Sequence, residues 1–390
     1  MNYFFSEEQQ MIIDTAKELA LKKIKPVREK YDEEGIFPWD IVKDMSDAGL
    51  MGLYIPEEYG GMAKTGERGI LNLCVAVEEL SKVCGGISLA MAATALGTFP
   101  ILLFGTEEQK KKYLPDIASG KKLAAFGLTE AGAGSDAGNM LTTAKKEGDY
   151  YILNGTKQWI TNGGEAEIYS IIAMTNKSKG TRGATAFIVE KGTPGFTFGK
   201  KENKMGIRAS ATRELVFQDC KVPAANVLAK EGMGFIVAVN TLNNSRPGVA
   251  AQALGIAAGA LEEALQYSRQ RIQFGQAISS IQAVQHMLAN MAVEVEAARA
   301  LIYAAAKTID AGAESFAKES AMSKYFASEV AMRVTTNAVQ VMGGYGYMKE
   351  YPVEKMMRDA KITQIYEGTS QIQLNEIALQ MIKEAAQSKK

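Results

Sequence analysis

The sequence predicts a mainly α-helical chain with a central β domain. An N-terminal helical domain is expected over residues 1–120, a small antiparallel β-barrel or sheet over 121–231, and a C-terminal four-helix bundle over 232–390. Three observations carry this. Apolar residues in the first third recur at helical spacing. After about residue 120, short β-rich runs alternate with turns rich in Gly and Asn. No proline interrupts Gly248 to Tyr351, a stretch rich in Ala, Leu, Met and Glu.

Each element has a local cause. Ser6-Glu7-Glu8-Gln9 is a capping box, in which the hydroxyl takes one orphan helix N–H and Gln9 reaches back to another. Ile12, Ala16, Leu19 and Ala20 then keep helical spacing up to Pro26. Further helices are expected near Trp39 to Met51 and Ile70 to Val83, with a loop at Pro56-Glu57-Glu58-Tyr59-Gly60-Gly61. The strands are expected at Tyr150 to Leu153, Tyr169 to Ile172, Ala186 to Val189 and Leu215 to Phe217. In the last third, Leu288, Met291, Val295, Ala298 and Leu301 form a near-heptad stripe suited to an antiparallel bundle.

Composition narrows the function. The 390 residues carry 44 basic and 44 acidic side chains, so the formal net charge is zero. That balance leaves no basic footprint for nucleic acid. Cys74, Cys84 and Cys220 are odd in number and form no CxxC, which disfavours a disulfide framework and suits a reducing compartment. The only histidine, His286, lies in a helical stretch and reads as a surface or interface residue. A multi-histidine metal site is therefore impossible, and no metal is expected. The longest apolar runs, such as Phe99 to Phe104, are too short to cross a bilayer, so no membrane insertion is expected. The first basic residue is Lys17, unlike a secretory signal or an Arg-rich transit peptide. A soluble protein is expected, cytoplasmic in a bacterium or in an organelle matrix if the chain is a processed form.

Three clusters could carry chemistry. Phe126 to Gly138 is a glycine-rich loop whose backbone N–H groups can approach a ligand. It lacks the βαβ context of a dinucleotide fingerprint. Gln158-Trp159-Ile160-Thr161-Asn162-Gly163-Gly164 places one of two tryptophans beside a turn, where it could stack on a planar cofactor while Thr161 donates a hydrogen bond. Ile365-Tyr366-Glu367-Gly368-Thr369-Ser370-Gln371-Ile372-Gln373 sets a carboxylate among apolar neighbours, which would raise its pKa toward that of a general base. Taken singly, each has a plainer reading: a structural turn, a core tryptophan at a strand end, and an exposed or helix-start glutamate.

Taken together and in this order, the clusters resemble the acyl-CoA dehydrogenase family, with the closest look to its bacterial short-chain, butyryl-type members. The resemblance runs through Ile55 to Gly61, Met205-Gly206-Ile207-Arg208, Arg271-Ile272-Gln273-Phe274-Gly275 and Gln340 to Tyr347. It implies FAD held between the sheet and the C-terminal bundle. By that resemblance Phe126, Gly127, Leu128 and Thr129 face the flavin ring, and Ser135 meets the pyrophosphate or the thioester ligand. Trp159 and Ile160 cover the ring, and Thr161 bonds near its reactive nitrogen. A second subunit completes the site with Arg271, Phe274, Gln282, Gln340, Val341, Met342, Gly343 and Gly344. Thr369 and Gln371 also touch the cofactor, and a homotetramer is the usual assembly.

The implied reaction is α,β-dehydrogenation of an acyl-CoA thioester to the trans-2-enoyl-CoA. Glu367 is the α-proton base, hydride goes to flavin N5, and electrons pass to an electron-transferring flavoprotein. The substrate would lie along Asn243, Asn244, Ser245 and Arg246, with Tyr366 and Gly368 beside the thioester. Ala131 stands where the family often has Pro, and Asn243 where Asp is common. Some relatives carry the base at the place of Ser245, which cannot serve, so Glu367 is the candidate. Ile87 to Thr94 bears no charge, which disfavours a second free carboxylate and suits a short or medium, branched or alicyclic acyl group. The competing readings are a same-fold enoyl-CoA reductase, a flavin oxidase or monooxygenase, and a catalytically silent CoA-binding scaffold.

Overall fold

The computed structural model describes residues 1–64 and 66–387. Six helices come first: α1 (Glu7–Leu19), α2 (Arg28–Glu34), α3 (Trp39–Asp47), α4 (Ile70–Val83), α5 (Gly85–Phe104) and α6 (Glu107–Ala118). The capping box at α1 forms as expected. Ser6 Oγ accepts from Gln9 N–H at 3.1 Å, and Gln9 Oε1 accepts from Ser6 N–H at 3.1 Å. Thr106 and Gln109 repeat the device at α6.

α5 differs from expectation. It is 20 residues long and apolar enough, by length and composition, to cross a membrane. Gly85, Gly86, Ser88, Thr94, Gly97 and Thr98 break its apolar run in the sequence without making the helix polar. Most of it is buried inside the protein, where it packs on α4 and on the sheet.

The sheet follows, with β1 (Ala124–Gly127), β2 (Thr143–Glu147), β3 (Tyr150–Thr161), β4 (Ile168–Met174), β5 (Ala184–Glu190), β6 (Phe196–Phe198), β7 (Thr212–Pro223) and β8 (Val227–Leu228). Its order is β6-β7-β3-β2-β4-β5-β8, with β1 joined to β4. Every expected strand is present. The sheet is mixed, however, rather than wholly antiparallel. β1 runs parallel to β4 from Ala124↔Ile168 to Gly127↔Ile171, and β2 meets β4 in parallel at Thr143↔Met174. The short run Ala-Ala-Phe-Gly has no β-branched residue, so its strand character comes from lying between α5 and β4.

The remaining helices are α7 (Gly234–Gln270), α8 (Gln282–Asp310), α9 (Ala317–Met342), α10 (Pro352–Thr363) and α11 (Ser370–Gln387), with a two-strand ribbon of β9 (Ile272–Gln273) and β10 (Gln276–Ala277) after α7. α9 is central and packs against α7, α8, α10 and α11. Met291, Val295 and Ala298 of the heptad stripe are buried, and the stripe continues through Ile302, Ala306 and Ile309. α7 starts before Pro247 and also packs along α4. A Cβ at Gly259 would lie 2.0 Å from the Lys82 carbonyl, so only glycine permits that crossing. α7 therefore joins both helical regions and runs under the end of the chain that carries Glu367.

Candidate active site

Glu367 lies in the loop between α10 and α11, and its backbone is left-handed at φ +50°, followed by Gly368 at +93°. For a glutamate this conformation is strained, and such strain concentrates at functional sites. The carboxylate turns inward. Its Oε2 accepts from Ser245 Oγ of α7 at 2.6 Å. Burial raises its pKa above the ordinary carboxylate range, while the Ser245 hydrogen bond, Lys324 and Arg246 pull it down. No acceptor pairs with the Glu367 N–H among the described residues. Neighbouring Tyr366, half-buried, donates its hydroxyl to Gln252 Oε1, and Gln252 Nε2 donates to the Gly85 carbonyl at 2.8 Å.

The loop is gripped from behind. Gln373 Nε2 donates to the carbonyls of Glu367 and Gly368 at 2.9 and 3.1 Å, and Lys324 Nζ of α9 donates to Gly368 O at 2.6 Å. Ser370 and Gln364 both donate to Glu329 Oε1, also on α9. Of the expected substrate residues, Asn244, Ser245 and Arg246 are buried. The Asn244 amide is occupied with the Asn240 carbonyl and with Arg68, and Arg246 donates to Asn243 Oδ1 at 2.8 Å.

The sheet carries a second group of candidate residues. β3 shifts register against β7 between Lys157 and Ile160, so two residues oppose one. This bulge puts Trp159 at φ +56° and leaves its ring 58 % exposed, an aromatic surface turned out of the sheet. Ile160 is buried and Thr161 half-buried beside it. Gln158 N–H donates to the Thr129 carbonyl at 2.8 Å, which ties the bulge to the glycine-rich loop. In that loop Phe126, Gly127 and Leu128 are buried, whereas Ser135 is exposed.

Beneath both segments lies a buried ion pair. Lys157, fully buried, donates to Leu128 O at 2.9 Å and to Glu130 Oε1 at 2.7 Å. Glu130 also accepts from the N–H groups of Leu141 and Thr142. Burial lowers the Lys157 pKa to about 8 against the pull of Glu130. Asn162 anchors the far end by donating to Thr94 Oγ1 and to the Ala90 and Ala124 carbonyls. Asn162 and Gln373 fall within the clusters singled out above but carry no expected role, and Lys157, Lys324 and Gln252 lie outside them. Only burial distinguishes them, and burial is a tertiary property.

A third group lies apart. Arg271 follows α7, and Ser245 is about 38 Å back along that helix at 1.5 Å per residue. Around Arg271, a groove of about 550 Å³ is lined by Phe274, Val341, Met342, Gly343, Gly344 and Tyr345 among others. Phe274 is 92 % exposed at φ +52°, and the Arg271 guanidinium rests 5.2 Å from the Tyr345 ring centre. No carboxylate pairs with Arg271 among the described residues. Gln282, at the start of α8, and Gln340, near the end of α9, are exposed. The donor sets suit FAD: an outward aromatic and a threonine for a planar ring system, and an unpaired guanidinium with open glycine backbone for a pyrophosphate.

Family models for the N-terminal, middle and C-terminal domains of acyl-CoA dehydrogenases match residues 6–121, 125–220 and 232–382. The short-chain-specific acyl-CoA dehydrogenase of Megasphaera elsdenii is 50 % identical over 376 residues, covering 96 % of this chain and 98 % of that one. The solved butyryl-CoA dehydrogenase of the same organism superposes with a TM-score of 0.95 at 49 % identity, covering 98 % and 100 % of the two chains. A chain from the solved electron transferring flavoprotein of Acidaminococcus fermentans, described toward a mechanism of flavin-based electron bifurcation, superposes with a TM-score of 0.94 at 52 % identity, covering 98 % and 99 %. With all three domain models matched and half of its residues shared with such relatives, the chain belongs to the acyl-CoA dehydrogenase family of FAD-dependent oxidoreductases.

Proposed function

We propose that the protein dehydrogenates a short saturated acyl-CoA between its α and β carbons, with Glu367 as the base. The observation that carries this is the inward carboxylate of Glu367, desolvated yet held by Ser245, Lys324 and Arg246. A raised pKa matches a carboxylate to α-proton removal better than an ordinary one does. The free Glu367 N–H is suited to the thioester carbonyl, where negative charge develops as the proton leaves. Bound FAD supplies the hydride acceptor, at N5 of its ring. Trp159 and Thr161 would hold that ring against the loop of Phe126 to Thr129, and Thr369 and Gln371 would meet it from the start of α11.

The acyl group is short on this reading. Tyr366 and Gln252 close the space about two helical turns along α7 from Ser245, and Ile87 to Thr94 offers no charged partner deeper in. Similarity to the short-chain-specific and butyryl-CoA enzymes of Megasphaera elsdenii supports this. The electron acceptor is an electron-transferring flavoprotein, in line with the Acidaminococcus fermentans structure. The test is an anaerobic screen of the yellow holoprotein against saturated acyl-CoAs of increasing length. Butyryl-CoA is expected to bleach the flavin spectrum fastest. Faster bleaching by octanoyl- or palmitoyl-CoA contradicts the short pocket, and no bleaching by any thioester contradicts the activity.

A further inference from the structure

We propose that Lys324 is a positioning residue for the base: from the buried face of α9 its ammonium holds the Glu367–Gly368 loop in its left-handed form and keeps the Glu367 carboxylate ionised. This rests on Glu367 acting as the base, as argued above.

The geometry starts from the peptide planes. Every peptide bond among the described residues is trans, so each carbonyl and the N–H across the same bond point in opposite directions. Gln373 Nε2 binds the Glu367 carbonyl, and Lys324 Nζ and Gln373 Nε2 together bind the Gly368 carbonyl. These three bonds draw both carbonyls toward α9 and α11. The N–H groups of Gly368 and Thr369 must then face the other way. A left-handed backbone at Glu367 is unfavourable without such outside bonds. Of the three, the bond from Lys324 is the shortest and the only one from a cation, and hydrogen bonds from charged donors are the stronger kind.

A lysine is a costly choice for a clamp. Lys324 is fully buried, and burial pushes its pKa down to about 8. A neutral donor could hold a carbonyl without that desolvation cost. What the lysine adds is positive charge beside Glu367. The other groups facing this pair are few. Arg246 of α7 faces both, Glu329 of α9 faces Lys324, and Tyr366 lies beside Glu367 in the same loop. Glu376 of α11 faces Arg246. Removing the Lys324 charge therefore favours the protonated, inactive form of Glu367.

The test uses the FAD-loaded protein and the pH dependence of its anaerobic bleaching by butyryl-CoA. Lys324→Met removes charge and donor. Lys324→Gln removes the charge but keeps an N–H for the Gly368 carbonyl, and Lys324→Arg keeps the charge. Gln373→Leu loosens the clamp and leaves the charge in place. The two neutral Lys324 variants are expected to bleach about tenfold or more slowly near neutrality, with the acid limb moved to higher pH. Gln373→Leu is expected to slow bleaching with the limb unmoved, and Lys324→Arg to keep the wild-type limb. Crotonyl-CoA binding, read as a shift of the flavin spectrum, is expected to weaken in Lys324→Met, since the loop that carries the Glu367 N–H is then held less firmly. Neutral variants that fold and bleach with the wild-type limb overturn the proposal. Failure of the wild-type protein to bleach at all overturns instead the functional reading beneath it.

Discussion

Glu367 is where opposing effects meet. Desolvation favours its neutral form, and a serine hydroxyl, a lysine and an arginine favour its charged form. The balance leaves the pKa raised, so the neutral form persists to higher pH than in a free glutamate. A base works only when ionised, and bleaching should therefore fade as pH falls through that raised value. Glu367 and Trp159 were legible only in combination: singly each has a plainer reading, and it is the order of the three clusters that resembles the family. Lys324 and Lys157 were not legible. A single lysine in a helix or strand reads as a solvated side chain. Only packing, α9 under α11 and β3 under the glycine-rich loop, encloses them.

At the scale of elements, the site depends on one bulge and one ion pair. The bulge at Gln158 and Trp159 aims an aromatic ring away from the sheet, and Lys157, one residue before it, fixes the Leu128 carbonyl from below. Lys157→Met leaves the Glu130 carboxylate buried without its cation. The expected cost is about 3–5 kcal/mol of stability, the range for breaking one side of a buried pair. Urea unfolding of the FAD-free protein measures it, and FAD retention should fall as well. An unchanged midpoint would show the pair to be dispensable. The helices and most strands were readable because capping boxes, periodicity and turn residues are local signals. β1 and its parallel pairing with β4 were not, because a parallel pairing across a helix-to-sheet junction leaves no period or turn in the sequence.

At the scale of the molecule, two groups of candidate site residues lie far apart in one chain. Glu367 lies against Ser245 in the first half of α7, and Arg271 follows that helix's last residue, about 38 Å further along. An unpaired arginine and a fully presented phenylalanine suit a partner, and we propose that a second copy brings them to the cofactor of the first. α11 exposes Leu374, Leu379, Met381 and Ile382, apolar surface available for such an assembly. The reading makes a sharp prediction. Glu367→Gln and Arg271→Ala are each expected to impair the enzyme alone. Co-expressed, they should pair at random, and the mixed pairs carry one intact site. Activity should then return to about a quarter of wild type, given random pairing across a two-fold interface. No recovery would place both halves of each site in a single chain.

The most direct measurement of all is stopped-flow anaerobic bleaching of Glu367→Gln beside the wild-type protein, with butyryl-CoA in excess. The substitution keeps the size and shape of the side chain and removes its ability to accept the proton. The variant should purify yellow with the wild-type FAD content and bleach about 10²–10⁴-fold more slowly, the range for loss of a positioned base. Bleaching at the wild-type rate would contradict the assignment of the α-proton to Glu367.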